Sequence, residues 1–193
     1  MAVNATRVLV GSPDQATSGA ILSAPLGSTL PTSAVDTIDA AFTDSGYVSE
    51  DGLVFSPDIS SNDVNDWSGS LVRRIKTTFN GTLSWTHLET NEGALKNTFG
   101  DNNVTVTAAT QTHGAQLAVA INGDFPAAKS WVFKMKDGLN RILVVVPNGQ
   151  VTGIEDVDFT AGDAIGWGVT LSCYPDSNSN SLYIYTDDGV TTA

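Results

Sequence analysis

Three short stretches carry side chains whose types and spacing could do chemistry. His87-Leu88-Glu89 matches the His-x-Glu half of a zinc deaminase signature, in which the His ligates the metal and the Glu moves protons. That chemistry also needs a pair of cysteines, and the chain has one cysteine, Cys173, set in an apolar run. A lone cysteine excludes an internal disulfide and a cysteine-only metal site, and in such a run it reads as a small buried hydrophobe. Asp58-Ile59-Ser60-Ser61-Asn62-Asp63 spaces oxygen ligands at alternate positions, as calcium loops do, but lacks the sixth-position Gly and the closing Glu. It reads as a solvated loop. Gly166-Trp167-Gly168 opens like a dinucleotide-binding loop, yet no third Gly and no helix follow, so it reads as a strand with close backbone packing. His87 and His113 are the only histidines, and no nucleophile with a base and no carboxylate pair in a cleft can be assembled from these parts. The expectation is a protein without catalytic residues, cofactor or metal.

The elements that would have to position such residues are mostly strands. Residues 6–10 read as a first strand, residues 20–22 as an edge strand inside a Gly-, Pro-, Ser- and Thr-rich arm, and residues 53–55 as a strand launched by the Asp51-Gly52 turn. The spacing of Val35, Ile38, Ala41 and Phe42 predicts one or two helical turns, with Asp36 and Asp39 facing away. Residues 56–70 are rich in Ser, Asn and Asp and read as a long functional loop. Asn80-Gly81 lies between two alternating runs and predicts a hairpin turn. Leu83, Trp85 and His87 then share one strand face. Thr90 is the expected N-cap of a helix over 91–99 stopped by Gly100, with Leu95 and Phe99 pressing on a sheet. Further strands are expected at 104–107, 116–121, 131–136, 141–146, 151–159, 165–174 and 182–185, with a turn at Asp137-Gly138. Together these give a mainly β protein: a sandwich or barrel with one flanking α-helix, in a single domain over 1–193. Its parts are an N-terminal strand and arm over 1–33, a long loop over 45–70 and a helix over 89–100.

Composition narrows the function. Hydrophobic residues make up 41%, enough for a packed core, while charged residues are only 16%, against roughly 25% in an average globular protein. A surface so lightly charged suits a protein that covers much of itself with copies of itself, although β-rich monomers share such a composition. The 21 acidic and 9 basic residues leave a net charge of −12. Stable grip on nucleic acid needs Lys and Arg to replace phosphate counterions, so DNA binding is not expected. The basic residues are also grouped, and none occurs from Leu143 to the end. Arg73, Arg74 and Lys76 form one group, in which Arg74 and Lys76 share a strand face; they read either as a solvated or edge-protecting face or as a contact for an acidic neighbour subunit. No basic-then-apolar leader and no apolar run of about eighteen residues is present, so the expectation is synthesis in a cytoplasm and no membrane span.

Residues 45–100 also carry a resemblance. Asn4-Ala5-Thr6-Arg7-Val8-Leu9-Val10-Gly11, then Gly46-Tyr47-Val48-Ser49-Glu50-Asp51-Gly52, then Trp67 onward through Leu88-Glu89-Thr90-Asn91 to Phe99-Gly100 follow one another as in the major tail protein of long-tailed, siphovirus-type bacteriophages. The chain resembles that tail tube family over its whole length, most closely members from phages of actinobacteria. The resemblance implies a virion protein, made in the host bacterial cytoplasm, whose six-fold rings stack into a tube around a tape-measure protein. It implies a tail terminator and distal tail or baseplate proteins as neighbours, and DNA passing through without stable binding. On that footing Tyr47, Glu50, Asp51, Asp58, Asp63 and Trp67 are expected to form an inter-ring contact loop. Asp36, Asp39, Asp44, Asp156 and Asp158 are expected to give the lumen a negative potential, and Arg74 and Lys76 to meet a neighbouring subunit. The rival readings are another β-sandwich virion component, such as a tail terminator or capsid decoration protein, and a carbohydrate-binding module using Trp67 or Trp131.

Overall fold

The computed structural model describes residues 3, 7–15 and 18–191. Its elements, in chain order, are β1 (Ile21–Pro25), β2 (Thr43–Asp44), β3 (Val54–Asn65), β4 (Leu71–His87), α1 (Glu92–Phe99), β5 (Val104–Thr107), β6 (Gln116–Val119), β7 (Lys129–Asp137), β8 (Asn140–Ile154), β9 (Trp167–Tyr174) and β10 (Tyr183–Asp187). The architecture is mainly β, with antiparallel pairing throughout and one flanking α-helix, as the sequence indicates. Seven strands follow the order β2-β1-β7-β8-β9-β4-β3, β10 pairs with β8 off that path, and β5 with β6 forms a separate hairpin.

β8 is the pivot. Residues 141–145 lie between β7 and β10, whereas residues 148–154 pair with β9. A register shift between Val151 and Gly153 bends the strand there, as an extra residue on one side of a ladder does. The two halves of the sheet therefore face each other. Ile21, Trp131, Phe133, Val144 and Val146 from one half meet Leu83, Trp85, Val169, Leu171 and Cys173 from the other. Trp131 sits at the centre, edge-on to Trp85 with ring centroids 5.4 Å apart, and its indole N–H donates to the Gly149 carbonyl at 3.1 Å. A Cβ at Gly149 would lie 3.0 Å from the Trp131 and Leu171 side chains, so any larger residue there would press on the centre of the core. Burial pushes the Cys173 thiol up to about 12, as befits a core hydrophobe.

The opposite face of β1, β7 and β8 is buried too. Leu22, Val132, Leu143 and Val145 pack under Leu30, Ala34, Ile38 and Phe42 and against Tyr183 and Tyr185. Burial on both faces explains the unbroken apolar run over 142–146. It also explains the helical spacing at residues 35–42, which forms turns and no helix. Its apolar members do face a core, but Asp39 accepts from the Ala41 N–H at 2.8 Å and Asp36 from the Thr32 N–H at 2.7 Å. Short acidic side chains thus take the backbone donors that a helix would use.

Other expectations are corrected by pairing. Of the strand expected over 6–10, residue 6 lies outside the described residues, and Arg7 to Val10 form no strand; the Val10 N–H instead bonds the Asp137 carboxylate at 3.0 Å. The strand expected at an edge near residues 20–22 is β1, flanked on both sides. Residues 56–70 are not a loop: most belong to β3. Asn80-Gly81 is not a turn, because Gly81 pairs with both Pro57 and Cys173 inside a continuous β4, with the Phe79 and Phe55 rings within 3.5 Å of where its Cβ would be. The strands expected at 141–146 and 151–159 are largely one element, β8, which runs through Pro147.

The helix begins one residue later than expected. Asn91, not Thr90, is the cap: its side-chain oxygen accepts from the Ala94 N–H at 2.8 Å. Gly100, at φ 96°, stops it, as only glycine does without strain. Leu95 and Phe99 pack with Val104, Val119 and Trp167, so α1 seals the β5–β6 hairpin against the start of β9.

Candidate assembly surfaces

The surface that stands apart is a two-stranded ribbon. Among the described residues β4 pairs with β9 only over residues 81–87, its one neighbour from Leu71 to Asn80 is β3, and β3 has no other partner. Residues 58–78 therefore extend past the sandwich, and every residue of them is exposed. At about 3.4 Å per residue the projecting part reaches roughly 25–30 Å. A two-stranded hairpin alone in water is marginal at best. This one nevertheless carries exposed Ile59, Val64, Leu71, Val72 and Ile75. Apolar side chains exposed together on a protruding arm are unusual for a surface that stays in water.

The tip is built tightly. Asp66 Oδ1 accepts from the Ser68 N–H at 2.9 Å, the Ser68 hydroxyl at 2.7 Å and the Ser70 N–H at 2.9 Å, while Gly69 takes a left-handed φ of 85°. These bonds, that of the Ser68 side chain foremost, hold the Asp66 carboxyl below the usual carboxylate range. The turn presents Trp67 wholly exposed. Lower on the ribbon, Arg74 forks onto Asp63, Nε to Oδ1 at 2.6 Å and Nη2 to Oδ2 at 3.0 Å, which lowers the Asp63 carboxyl. Arg74 is thus matched within its own chain, and Lys76 lies over the Phe79 ring at 5.3 Å. The other group member, Arg73, has no ion-pair partner among the described residues.

The residues expected to form one contact loop fall at two ends of this arm. Asp58, Asp63 and Trp67 lie along it or at its tip. Tyr47, Glu50 and Asp51 lie at its base, where Val48 bridges His87 and the Leu88 N–H donates to the Tyr47 carbonyl at 2.9 Å. The Tyr47 N–H in turn bonds Glu89 at 2.9 Å. Among the acidic residues expected in a lumen, Asp36, Asp39 and Asp44 stabilise turns between β1 and α1, Asp44 through the Gly46 N–H at 3.2 Å. Thr32, chiefly through its N–H, holds the Asp36 carboxyl low. Asp156 and Asp158 are exposed in the connection between β8 and β9.

The motifs weighed for chemistry resolve as architecture. His87 is fully buried, accepts the Trp85 indole N–H at 2.8 Å, and is pushed down to about 4 by burial. Its neighbour in the motif, Glu89, is spent on Tyr47 and Asn91. Asp58 and Asp63 are strand residues, and no group of three or more His, Cys, Asp or Glu among the described residues could hold a metal. Trp131 is buried and offers no face for stacking on a sugar, which leaves Trp67 as the exposed one of the two. No helix among the described residues is long and apolar enough to cross a membrane.

A family model described as "Phage tail tube protein" matches residues 1–193. The chain belongs to the phage tail tube protein family. It is therefore a structural component of a phage tail and of the virion, built to assemble with itself and other tail proteins. No curated protein matches. Among solved structures, the chain is similar to the tube-terminating cap of an anti-feeding prophage, seen by cryo-electron microscopy, at 11% identity and a TM-score of 0.46, over 97% of this chain and 100% of that one. Sequence reasoning missed the ribbon because its β3 half, with Ser56, Ser60, Ser61, Asn62 and Asp63, has loop composition. The available signal was β4: a run as long as 71–79 that alternates needs a partner strand.

Proposed function

We propose that this chain is the repeating subunit of the tail tube of a long-tailed phage, closing into six-fold rings that stack around a tape-measure protein and later conduct DNA. The observation that carries this reading is the bare ribbon of β3 and β4, combined with family membership over the whole chain. An arm with apolar residues on an unpaired edge gains stability only when a neighbour covers it, and head-to-tail contacts that repeat produce rings or filaments. The ribbon is the inter-ring contact, with Asp58, Asp63 and Trp67 on it and Tyr47, Glu50 and Asp51 at its root. Asp36, Asp39, Asp44, Asp156 and Asp158 contribute to an anionic bore, which repels phosphate so that DNA slides.

Electron microscopy of the purified protein tests this directly: hollow filaments of uniform width are expected. Replacing residues 60–78 with Asn-Gly, which joins the paired residues Ile59 and Phe79, should leave a folded monomer unable to form them. Uniform tubes from that variant would refute the role of the ribbon. Wild-type protein that gives only closed single rings would favour a terminator-like component instead.

A further inference from the structure

The base of the ribbon contains a socket. A pocket of about 280 Å³ is walled by Ile21, Val48, Leu53, Phe133 and Met135, with Ser49 and exposed Glu50 in the same lining. The wall is mostly apolar, and Met135 adds a pliable sulfur of the kind that packs well against aromatic rings. One lining residue carries an unpaired polar group: the Ser49 hydroxyl is buried with no hydrogen-bond partner. A buried polar group left unpaired costs free energy, so an orphan hydroxyl on a lining residue points to a missing hydrogen-bond partner, which a donor reaching it would supply.

The tip of the same ribbon carries the matching knob. Trp67 is exposed on a turn fixed by three bonds to Asp66, and an indole offers a large apolar body with one N–H donor. On the same ribbon Arg73, across from Val64, has no ion-pair partner among the described residues, while Glu50 lines the socket. We infer that Trp67 of one copy seats in the pocket at the ribbon base of the next copy, its indole N–H donating to the Ser49 hydroxyl and Arg73 facing Glu50. This deepens the tube reading and rests on it.

Reach explains why the partner is another copy. Leu53 leads straight into β3, so twelve strand residues, roughly 40 Å at about 3.4 Å each, separate socket from knob. A paired ribbon cannot double back onto its own base. Knob and socket at opposite ends of one arm make a head-to-tail contact that repeats without closing on itself, with a repeat set by the arm, roughly 40 Å. An aromatic anchor seated in a mostly apolar pocket is also the usual form of a binding hot spot.

The test uses the full chain and its polymerisation. Trp67→Ala should raise the critical concentration for tube formation at least about tenfold, and Trp67→Phe less, since it keeps the ring and loses the donor. Ser49→Ala should add nothing to Trp67→Phe, because both remove the same bond. Arg73→Glu should weaken assembly, and Glu50→Arg in the same chain should restore it. A Glu50→Cys, Arg73→Cys chain treated with a short bismaleimide should give a ladder of covalent oligomers from tubes, with the buried Cys173 taking no part. Tubes that form with Trp67→Ala unchanged, or without a ladder, would overturn the socket and leave the tube reading standing. A cross-link confined to single chains would likewise overturn it by placing the occupant in the same copy. If wild-type protein forms no tube under any condition that keeps it folded, the tube reading fails and the socket with it.

Discussion

The two halves of β4 are one strand in two environments. From Gly81 to His87 it pairs with β9, and as far as Ser84 with β3 as well, and alternate residues are buried: Leu83, Trp85 and His87 face the core. From Leu71 to Thr78 it has β3 alone, and every residue is exposed. Backbone pairing is present in both, so hydrogen bonding does not distinguish them. What differs is the third strand and the opposing sheet, which give apolar side chains somewhere to go. The proximal half is stabilised by its own chain. The distal half has no such support among the described residues of its own chain.

Substitutions should separate the halves by size of effect. Trp131→Ala, which empties the centre of the core, should cost about 3–5 kcal/mol in chemical denaturation of the monomer, because transfer and cavity terms add. A loss under 1 kcal/mol would mean the two sheet halves are not packed as described. Acid should act through His87. Its folded pKa lies near 4 while the unfolded chain takes up its proton near 6.5, so stability should fall as pH drops through that window, by on the order of 3 kcal/mol in all. Asp36, Asp63, Asp66 and Asp176 sit below the ordinary 3.8, so the stability they add is lost only at lower pH. Denaturation midpoints in urea from pH 7 to pH 4 check this, and a flat profile would contradict a neutral buried imidazole.

Smaller effects belong to the periphery. Asn91→Ala removes the α1 cap and should cost about 1 kcal/mol, read in the same denaturation assay. Arg74→Ala breaks the Asp63 fork on the exposed ribbon and should leave the monomer's melting temperature unchanged within error, as exposed ion pairs usually do. A clear loss there would show that the ribbon helps hold the body together, and would blur the contrast between the two halves.

The sequence alone determined whatever depends on neighbours a few residues apart. Alternation at 82–87 announces a half-buried strand, and Gly100 ends the helix over 92–99, because these signals act through local backbone geometry. The order of motifs carried the resemblance to the tail tube family. Tertiary structure decided the rest. Asn80-Gly81 and residues 56–65 have the composition of turn and loop, but the ladder with β4 and β9 supplies more hydrogen bonds than local propensity opposes. Likewise Glu50 and Trp67 are near in sequence yet stand at opposite ends of an arm, since a paired strand converts a few residues into tens of ångströms. Pairing partners distant in sequence set that geometry, and no window of sequence contains them.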